Sequence, residues 1–526
     1  MKWLWLSVLL MLSGLFSCNH GSIESKNDQR PNIILILADD MGYSDIGCYG
    51  GEINTPNLDR LAGNGIRFTQ FYNTAKCFPT RASLMTGLYS HQVGMGRQPG
   101  NFLKNCVTIA QVLRTAGYRT LMSGKWHGTD LPVNMGFDRY YGLVDGAVNY
   151  WNPGKQRAGE PVPGRKTNMY PRTWAIDSTV YKPYTPDDPD FYITDAFTDR
   201  ALEYLETYKD EDNPYFLYLA YTAPHYPLHA WPEDIARYKG RYAGGYDSLR
   251  QWRFRKIQEL GLFPEGIRLS PKDSEVPDWE DLENRQEEEL KMEVYAAMVD
   301  RMDQNVGKIL KKVEELGEWE NTIIFFLSDN GACAEVAEFT PDIPPGPVES
   351  YRSLNLPWAN ATNTPFRKYK NHDFEGGICT PFIVHYPSLI QTPFITDQPG
   401  HLIDIMATCI DFAGAKYPGS FEGHEVLPFE GKSLLPALRR ETGTGHEFLY
   451  WQWANSVGVR KGDWKAVGYV DSPWELYDLR NDRTELNDLA AEYPEIVKEL
   501  DSLFNRWAKR TGARIRTFGT EQTGSE

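Results

Sequence analysis

The sequence lacks any excess of positive charge. It has 55 Lys and Arg residues against 71 Asp and Glu residues, which gives a formal net charge of −16. Proteins that coat nucleic acid or another polyanion carry the opposite balance. The composition therefore argues against such a protein, and we expect no nucleic-acid partner. A small anionic substrate is compatible with it, but the binding site must be locally basic against an acidic background.

Cysteine, repeats and long apolar runs are also scarce. The chain has seven cysteines, of which Cys18 and Cys77 stand in motifs of their own. The other five form an odd set with no close pairing pattern, which argues against a disulfide scaffold. Beyond the first 18 residues no apolar run is long enough to span a bilayer. We find no internal repeat and no long low-complexity segment.

The N-terminus has the features of an export signal. Residues 1–18, "MKWLWLSVLLMLSGLFSC", combine an early Lys with an apolar stretch that is too short for a membrane-spanning helix. Their end is similar to a bacterial lipobox and predicts lipidation of Cys18; an ordinary signal peptide cleaved nearby is the alternative. Residues 19–30 are polar and predict a tether. We therefore expect an exported protein, in the periplasm or on the outer surface, that contacts membrane only through a lipid anchor.

Short strand-like runs alternate with helical stretches over residues 31–444. This alternation predicts an α/β fold in which a large mixed, mostly parallel sheet is sandwiched between helices. The strand candidates are residues 32–38, 118–122, 215–221, 322–327 and 381–386, and the helix candidates are residues 56–63, 107–116, 194–208 and 287–316.

Three parts of the chain depart from this alternation. Residues 152–190 and 240–285 are rich in Pro, Tyr and charge, and we interpret them as long insertions over the active-site edge. Residues 445–526 contain short strands separated by turn residues, followed by a helix at about 492–509. This last part predicts a C-terminal subdomain with a small antiparallel sheet and one packed helix.

Charged or metal-competent residues follow four of the strand candidates. In open α/β sheets, ligands bind outside the carboxyl ends of the strands, so we expect these residues at one edge of the sheet. Carboxylate and amide oxygens suit Ca²⁺ or Mg²⁺ rather than Zn²⁺, although each acidic pair alone is also typical of a turn or a helix cap. The residues are Asp39 and Asp40, Lys125 and His127, His225, and Asp329 and Asn330.

A lone cysteine stands just before a predicted helix in residues 74–87, "TAKCFPTRASLMTG". The free N–H groups and positive partial charge of a helix N-terminus stabilise an anionic group, and Pro79 suits the first turn. Arg81 lies one turn further on and can reach back toward Cys77. The alternative is that Cys77 is a small buried hydrophobic residue.

Basic and titratable residues at the same edge complete the set. Lys125 and Lys370 are cationic, while His127 and His225 titrate near neutral pH. Metal, arginine and lysine together clamp a tetrahedral anion, and His225 then suits a general acid for a leaving alcohol. Taken singly, a Lys is typical of solvated surface and a His after a strand is typical of a structural role.

The sequence resembles the formylglycine-dependent sulfatases of the alkaline-phosphatase-like superfamily in several motifs and their order. "CFPTRASLMTG" is similar to the C-x-P-[SA]-R-x(4)-T-G signature, and "GKWH" at residues 124–127 matches a second signature. "ADDMGYSDIGCYG", "SDNG", "EGG" and "LYDLRNDRTELNDLA" also match. The resemblance covers residues 31–510, and the part from "APHYPL" to "MEVYAAMVDRMD" is especially similar to bacterial arylsulfatases.

The resemblance implies a sulfatase mechanism, residue by residue. A formylglycine-generating maturation enzyme would oxidise Cys77 to formylglycine, and one oxygen of its hydrate would attack sulfur to give a covalent sulfo-enzyme intermediate. His225 and Lys370 would assist the leaving alcohol, and His127 would help the second hydroxyl expel sulfate. Arg81 and Lys125 would fix the diol and sulfate oxygens. One Ca²⁺, with Mg²⁺ as the less favoured ion, would be held by Asp39, Asp40, Cys77, Asp329 and Asn330.

Three further assignments depend on sequence position. Lys370 stands five residues before the "EGG" motif, as the family lysine does, and Lys368 is a near competitor. Thr80 stands where the family has Ser, and it keeps the hydroxyl. Glu335, just beyond the "SDNG" turn, either accepts a sugar hydroxyl of the substrate or is a solvated loop charge.

The expected function is therefore an exported sulfatase that acts on a sulfated glycan. The aromatic content of 13% is compatible with sugar stacking, and a galactose or N-acetylhexosamine sulfate is the expected substrate. A phosphonate monoester or phosphodiester hydrolase with the same nucleophile is one alternative. A glycan-binding protein in which Cys77 stays a thiol is the other.

Overall fold

The computed structural model describes residues 30–441 and 445–516. The predicted signal peptide, the lipidation of Cys18 and all but the last residue of the predicted tether lie outside the described residues. Within the described ranges, no helix is both long enough and apolar enough to cross a membrane. The six cysteines in those ranges are all buried and form no disulfide, as their scattered positions predict.

Eleven strands of the described chain form one large sheet. They are β1 (Asn32–Asp39), β2 (Ile66–Tyr72), β3 (Arg119–Gly124), β4 (Arg139–Leu143), β5 (Trp174–Ile176), β6 (Thr179–Tyr181), β7 (Tyr215–Pro224), β8 (Thr322–Ser328), β9 (Cys379–His385), β10 (Phe394–Thr396) and β11 (Gly400–His401). Their order is β10-β2-β9-β8-β1-β7-β3-β4-β5-β6, and β11 also pairs with β2. The pairs among β8, β1, β7, β3 and β4 are parallel, whereas β9 and β5 run antiparallel to their neighbours. The sheet is mixed but mostly parallel, which confirms the predicted fold class.

The central strand β1 is buried on both faces. Its sequence, NIILILAD, is almost entirely apolar, as a parallel strand covered on both sides requires. Ile34 and Ile36 pack into one hydrophobic core, and Ile33, Leu35 and Leu37 pack into a second core on the opposite face. This follows because successive side chains of a strand point to opposite faces of the sheet.

Helices cover both faces of this sheet. Those of the described chain are α1 (Pro56–Gly63), α2 (Cys77–Thr86), α3 (Ile109–Thr115), α4 (Ile193–Tyr208), α5 (Pro232–Ala236), α6 (Gly245–Glu259), α7 (Arg285–Glu315), α8 (Asn355–Thr362), α9 (Glu375–Ile378), α10 (Asp404–Ala413), α11 (Leu435–Leu438) and α12 (Pro494–Thr511). Helices α1, α4, α6, α7 and α8 contribute to the core that holds Ile34, and α2, α3, α10 and α12 contribute to the core that holds Ile33.

The C-terminal part forms a separate small sheet, as the sequence predicts. After a two-stranded ribbon of β12 (Ser420–Phe421) and β13 (His424–Glu425), the four strands are β14 (Phe448–Trp453), β15 (Ser456–Lys461), β16 (Trp464–Tyr469) and β17 (Trp474–Asp478). They pair antiparallel in that order. Helix α12 packs against β15 and β16 and begins two residues later than expected.

Buried charges join the small sheet to the large one. Lys465 Nζ lies 2.8 Å from Glu375 Oε1 and 2.8 Å from Glu485 Oε1, and all three side chains are fully buried. Arg483 also pairs with Glu375, and the Tyr72 hydroxyl donates to Glu375 Oε2 over 3.1 Å. Removing one partner of a buried ion pair costs about 3–5 kcal/mol. Buried ion pairs therefore hold the "EGG" motif against the C-terminal motif "LYDLRNDRTELNDLA".

Helix α6 lies inside the second of the two insertions, where the sequence pattern predicted no helix. The helix has no clean apolar stripe because its buried face includes charge. Arg253 is fully buried and pairs with Asp45 over 2.6 Å and with Glu52 over 2.7 Å. An apolar periodicity search cannot recognise a helix that is anchored by an ion pair. The other insertion contains β5 and β6, which extend one edge of the large sheet.

Candidate active site

Four adjacent parallel strands end at one edge of the large sheet, and the predicted site residues follow them there. The strands are β8, β1, β7 and β3, in spatial order. Because they run parallel, their carboxyl ends lie side by side. Asp39 and Asp40 lie at the end of β1, Asp329 and Asn330 follow β8, His225 follows β7, and Lys125 and His127 follow β3.

The side chains of Asp39, Asp40, Asp329 and Asn330 form a buried oxygen cluster at this edge. Each is at most 1% exposed. Asn330 donates from Nδ2 to Asp40 Oδ1 over 2.7 Å, and the Asp40 backbone N–H donates to Asp329 Oδ1 over 3.2 Å. Asp40 has a φ of 65°, a left-handed conformation that Asp adopts more readily than most residues. The turn after β1 thus places two consecutive carboxylates in one cluster.

The oxygen cluster fits a hard cation. Asp39 Oδ1 and Asn330 Oδ1 are buried and have no hydrogen-bond donor among the described residues. An unsatisfied buried oxygen costs about 1–3 kcal/mol, so both atoms require a ligand. His225 also brings a nitrogen within 4.8 Å of oxygens of Asp39 and Asp40. Carboxylate and amide oxygens dominate the donor set, and these are the ligands that Ca²⁺ and Mg²⁺ prefer.

Basic side chains pair with this cluster and balance the charge of its carboxylates. Lys125 Nζ lies 2.5 Å from Asp39 Oδ2, and both side chains are fully buried. Arg81 donates from Nη2 to Asp329 Oδ2 over 2.8 Å and from Nη1 to the Lys125 carbonyl over 2.9 Å. Burial and the neighbouring Asp39 carboxylate raise the pKa of Asp329 to about 7, even with Arg81 beside it. A bound cation would favour the ionised carboxylates.

Lys370, and not Lys368, reaches the site. Lys370 Nζ lies 2.7 Å from Asp40 Oδ1, and both side chains are almost fully buried. Lys368 instead pairs with Asp273 over 2.8 Å. Burial by itself raises the pKa of Asp40, but Lys370, together with His225, holds that pKa well below its usual range. Asp40 is therefore ionised and tied to Lys370.

Helix α2 begins at Cys77 itself. The cysteine therefore lies in the first turn of the helix, whereas the sequence had indicated a position just before it. Lys76 is the cap residue, with an extended backbone at φ −151° and ψ 142°. The Thr80 N–H donates to the Lys76 carbonyl over 3.1 Å, which closes the first turn around Cys77. Pro79 is then the third helical residue, where its missing N–H removes no helical hydrogen bond.

Thr80 supports the turn that leads into α2. Its Oγ1 accepts a hydrogen bond from the Thr74 backbone N–H over 3.1 Å and lies 2.9 Å from Thr74 Oγ1. Any residue with a short hydroxyl side chain offers the first of these contacts. The Thr that stands in place of the family Ser therefore keeps the structural use of the hydroxyl.

Cys77 is buried without being part of a hydrophobic core. It is 3% exposed, and it lies outside the four hydrophobic clusters that the described residues form. Burial raises the pKa of its thiol, against the opposing charges of Lys125 and Lys370. A plain thiol here stays protonated and is a weak nucleophile. The surroundings therefore fit neither a hydrophobic filler nor a reactive thiolate.

Two histidines present unprotonated nitrogens at this edge. His225 Nδ1 donates to the Tyr226 carbonyl over 2.6 Å, so the neutral ring has its lone pair at Nε2, which lies 3.4 Å from Asp40 Oδ2. Burial lowers the pKa of His225 to about 3, although Asp40 opposes the shift. Burial, together with Lys125, lowers the pKa of His127 well below its usual value. Within the described ranges, His127 Nδ1 has no hydrogen-bond partner.

Glu335 joins three segments of the site. Its Oε1 accepts from Lys76 Nζ over 2.5 Å and from Asn371 Nδ2 over 3.1 Å, and its Oε2 accepts from the Tyr226 hydroxyl over 2.9 Å. We call these four residues the Glu335 cluster. Because donors already engage both oxygens, contact with a sugar hydroxyl stays a prediction for Glu335. Each donor adjoins a predicted catalytic residue in the chain: Lys76 precedes Cys77, Tyr226 follows His225 and Asn371 follows Lys370.

Sequence reasoning did not identify the three donors of the Glu335 cluster, since their only signal is their position next to a motif residue. It also missed Trp453, which carried no signal at all. Trp453 lies at the end of β14 in the small sheet, donates from Nε1 to Asn371 Oδ1 over 3.0 Å, and has its ring 5.2 Å from that of Phe78. The C-terminal subdomain thus contributes to the rim of the site.

Replacing Glu335 with Gln is expected to lower kcat about tenfold to a hundredfold, with a smaller change in KM. Gln carries no charge to pair with Lys76, and one carboxylate oxygen of Glu335 is replaced by an NH₂ group that donates. The three segments that Glu335 holds together, each next to a predicted catalytic residue, then lose a shared contact. Misplacement by about 1 Å costs on the order of a hundredfold in rate. Steady-state kinetics with 4-nitrophenyl sulfate measures both constants. The exposed Glu283→Gln change is the matched control, and a kcat for E335Q within twofold of the wild type would contradict this positioning role.

The chain is similar to known protein families, sequences and solved structures. A model of the Sulfatase family matches residues 31–415, and one described as N-sulphoglucosamine sulphohydrolase, C-terminal, matches residues 368–510. An arylsulfatase of Klebsiella aerogenes is 32% identical over 445 residues, covering 79% of this chain and 93% of that protein. An N-acetylglucosamine-6-O-sulfatase of Bacteroides thetaiotaomicron is 27% identical, with coverage of 96% and 91%. The crystal structure of Ps i-CgsB in complex with k-i-k-neocarrahexaose has a TM-score of 0.67 and 25% identity, with coverage of 94% and 96%.

Proposed function

Because the chain belongs to the sulfatase family and is a sulfuric ester hydrolase, we propose that it removes sulfate from a sulfated glycan with residue 77 as the nucleophile. One observation carries this proposal. Cys77 opens a helix beside a buried cluster of hard oxygen ligands, two of them without donors among the described residues, and next to paired Lys and Arg side chains. This is an arrangement for an anionic substrate and a cation together.

Asp39, Asp40, Asp329, Asn330 and the side chain of residue 77 would hold the cation, for which we propose Ca²⁺ in preference to Mg²⁺. The bound cation would supply positive charge next to the sulfate oxygens and the attacking oxygen. That oxygen is proposed to come from the hydrated aldehyde of formylglycine, formed from Cys77 by a maturation enzyme. Support for this modification comes from the motif "CFPTRASLMTG" around Cys77 and from the match to the Sulfatase family.

The protein's own side chains have distinct proposed tasks. Arg81 and Lys125 hold the sulfate oxygens in place, because both are buried and fixed by carboxylates. His225 takes up a proton at Nε2 when the sulfate ester binds and then delivers that proton to the leaving alcohol oxygen, with Lys370 beside it. A bound sulfate adds negative charge near the ring, which raises the pKa of His225 from its burial-lowered value. His127 accepts a proton at Nδ1 when sulfate is expelled.

A sulfated sugar is the proposed substrate class. The support is indirect: one relative is named an N-acetylglucosamine-6-O-sulfatase, and a solved structure of the same fold holds a carrageenan oligosaccharide. Trp453 adds a half-buried aromatic ring at the rim, which is a surface of the kind on which sugars stack. Within this class, a galactose or N-acetylhexosamine sulfate is our specific proposal. Export and lipid anchoring are proposed from the N-terminal sequence alone.

Rates on matched substrates test the proposed reaction. An aryl sulfate and an aryl phosphonate monoester with the same leaving group compete for the same nucleophile. We expect the sulfate to have the larger kcat/KM, because the chain belongs to the sulfatase family. Cleavage of the phosphonate that is faster by orders of magnitude would assign the protein to the alternative hydrolase class.

Replacing His225 with Ala is expected to affect poor leaving groups most. A sugar alcohol needs a proton as the bond to sulfur breaks, whereas nitrophenolate leaves without one. We expect a loss of about 10²- to 10⁴-fold with a sulfated sugar and less than about tenfold with 4-nitrophenyl sulfate. His91→Ala, at a histidine whose Nε2 contacts Gln452 away from the oxygen cluster, is the control. Equal losses of H225A on the two substrates would show that His225 is not the acid.

A further inference from the structure

Three cations without carboxylate partners lie together in the first of the two insertions. Arg165, Lys166 and Arg172 line a single cleft, and each is half-exposed. Among residues 30–441 and 445–516, none of the three has a carboxylate oxygen within 4.0 Å. Arg157, in the same insertion, pairs with Glu160 over 2.8 Å. In a chain with a net charge of −16, three grouped cations without a carboxylate partner form a local basic patch, and such a patch attracts anionic ligands.

The cleft has a defined shape. Asn149 donates from Nδ2 to the Gly164 carbonyl over 3.1 Å and to the Val348 carbonyl over 2.7 Å. The Gly164 N–H donates to the Val348 carbonyl over 2.8 Å. The Arg165 guanidinium lies over the Tyr170 ring, 4.1 Å from its centroid. These contacts fix the backbone and one guanidinium before a ligand arrives, which reduces the entropy cost of binding.

The cleft borders the catalytic residues along two routes. Tyr351 lines it, the Tyr351 and Tyr226 ring centroids are 6.2 Å apart, and those of Tyr226 and His225 are 4.2 Å apart. The segment after Gly146 also lines it, and a Cβ at Gly146 would lie only 2.7 Å from His127 Nε2. The cleft is therefore next to the reacting centre but separated from it by a layer of side chains. A group bound in the cleft would therefore lie beyond the reacting centre, at a distance that suits a neighbouring sugar better than the sulfate that is cleaved.

We propose that this cleft binds a second sulfate group of the substrate, carried on a sugar next to the one that is desulfated. The inference rests on the proposed function and narrows it to multiply sulfated oligosaccharides. The planar fork of Arg matches two oxygens of a tetrahedral oxyanion, and Lys adds a compact charge. A substrate with a single sulfate gains nothing from the cleft, so the cleft selects for sulfate density.

Calorimetric titration with sucrose octasulfate and with inorganic sulfate tests the proposal through binding alone, with the Cys77→Ala change added to every protein compared so that no sulfate ester is hydrolysed. The variant is R165Q/R172Q. The control is K155Q/K182Q, which removes the same charge from two exposed lysines of the same insertion. We expect the Kd for sucrose octasulfate to rise about tenfold in R165Q/R172Q and less than twofold in the control. Within each variant, the Kd for sucrose octasulfate is divided by the Kd for inorganic sulfate, which corrects for any partial loss of folded protein. R165Q alone is a second variant with a smaller change in charge.

Two outcomes would overturn the proposal. One is an unchanged Kd for sucrose octasulfate in R165Q/R172Q. The other is an equal rise in the control, which would show that the effect comes from overall charge alone. Raising NaCl should weaken octasulfate binding more steeply in the wild type than in R165Q/R172Q, because charge contacts are screened by salt. If the wild type hydrolyses no aryl sulfate, the proposed reaction fails, but the calorimetric comparison still decides whether the cleft binds sulfate.

Discussion

Replacing Cys77 with Ala should abolish hydrolysis of sulfate esters, with a loss in kcat/KM of at least about 10⁴-fold. In the proposed mechanism the formylglycine formed from Cys77 supplies the attacking oxygen, and the alanine side chain can supply none. The fold should persist, because Cys77 lies outside the hydrophobic clusters of the described chain. Kinetics with 4-nitrophenyl sulfate and thermal unfolding together measure the two effects.

Cys409→Ala is the matched control for C77A. Cys409 is also buried and free, but it lies in α10 within the second hydrophobic core. Its replacement should leave kcat/KM unchanged and lower the free energy of unfolding by roughly 1 kcal/mol, as small core deletions do. A C77A protein that is folded and keeps a tenth of the wild-type rate would show that residue 77 is not the nucleophile.

Removing divalent cations should lower activity at least about a hundredfold and also lower Tm. The oxygen cluster buries three carboxylates, and two oxygens of the cluster, on Asp39 and Asn330, have no donor among the described residues. Dialysis against EDTA, followed by titration with Ca²⁺ or Mg²⁺, measures recovery of activity and of Tm. We expect Ca²⁺ to restore both at lower concentration, and Tm to rise with Ca²⁺ concentration as for any ligand of the folded state.

Asn330→Ala separates a bound cation from a general effect of chelation. It removes one ligand oxygen, so the rise in Tm with Ca²⁺ should be smaller than in the wild type. Asn64→Ala, at an exposed amide, should leave that rise intact. Activity and Tm that are both indifferent to EDTA would contradict a cation site at the oxygen cluster.

The central sheet was predictable because buried parallel strands are nearly continuous apolar runs. The run at residues 32–38 became β1 (Asn32–Asp39), and the run at residues 322–327 became β8 (Thr322–Ser328). Parallel strands bring their carboxyl ends to one edge, so the convergence of Asp39 and Asp329 followed from the sheet alone. The roles assigned to these residues came from the resemblance and stay predictions.

What the sequence did not show is set by contacts between distant residues. Glu335 meets Asn371 and Tyr226 only after three loops fold over the edge, and no local pattern marks such a meeting. Trp453 comes from the C-terminal subdomain, whose boundary at residues 444 and 445 stays a prediction. Helix α6 was missed because its buried face carries the Arg253 ion pairs, where apolar periodicity gives no signal.

The account depends most directly on the chemical identity of residue 77 in the mature protein. Trypsin cuts after Lys76 and Arg81 and releases the peptide Cys77–Arg81, so one mass spectrum of protein from its native host decides the question. We predict a peptide that has lost H₂S and gained one oxygen relative to the encoded cysteine, and that reacts with hydroxylamine as an aldehyde. A peptide with an intact, alkylatable thiol in protein that hydrolyses sulfate esters would contradict the proposed nucleophile.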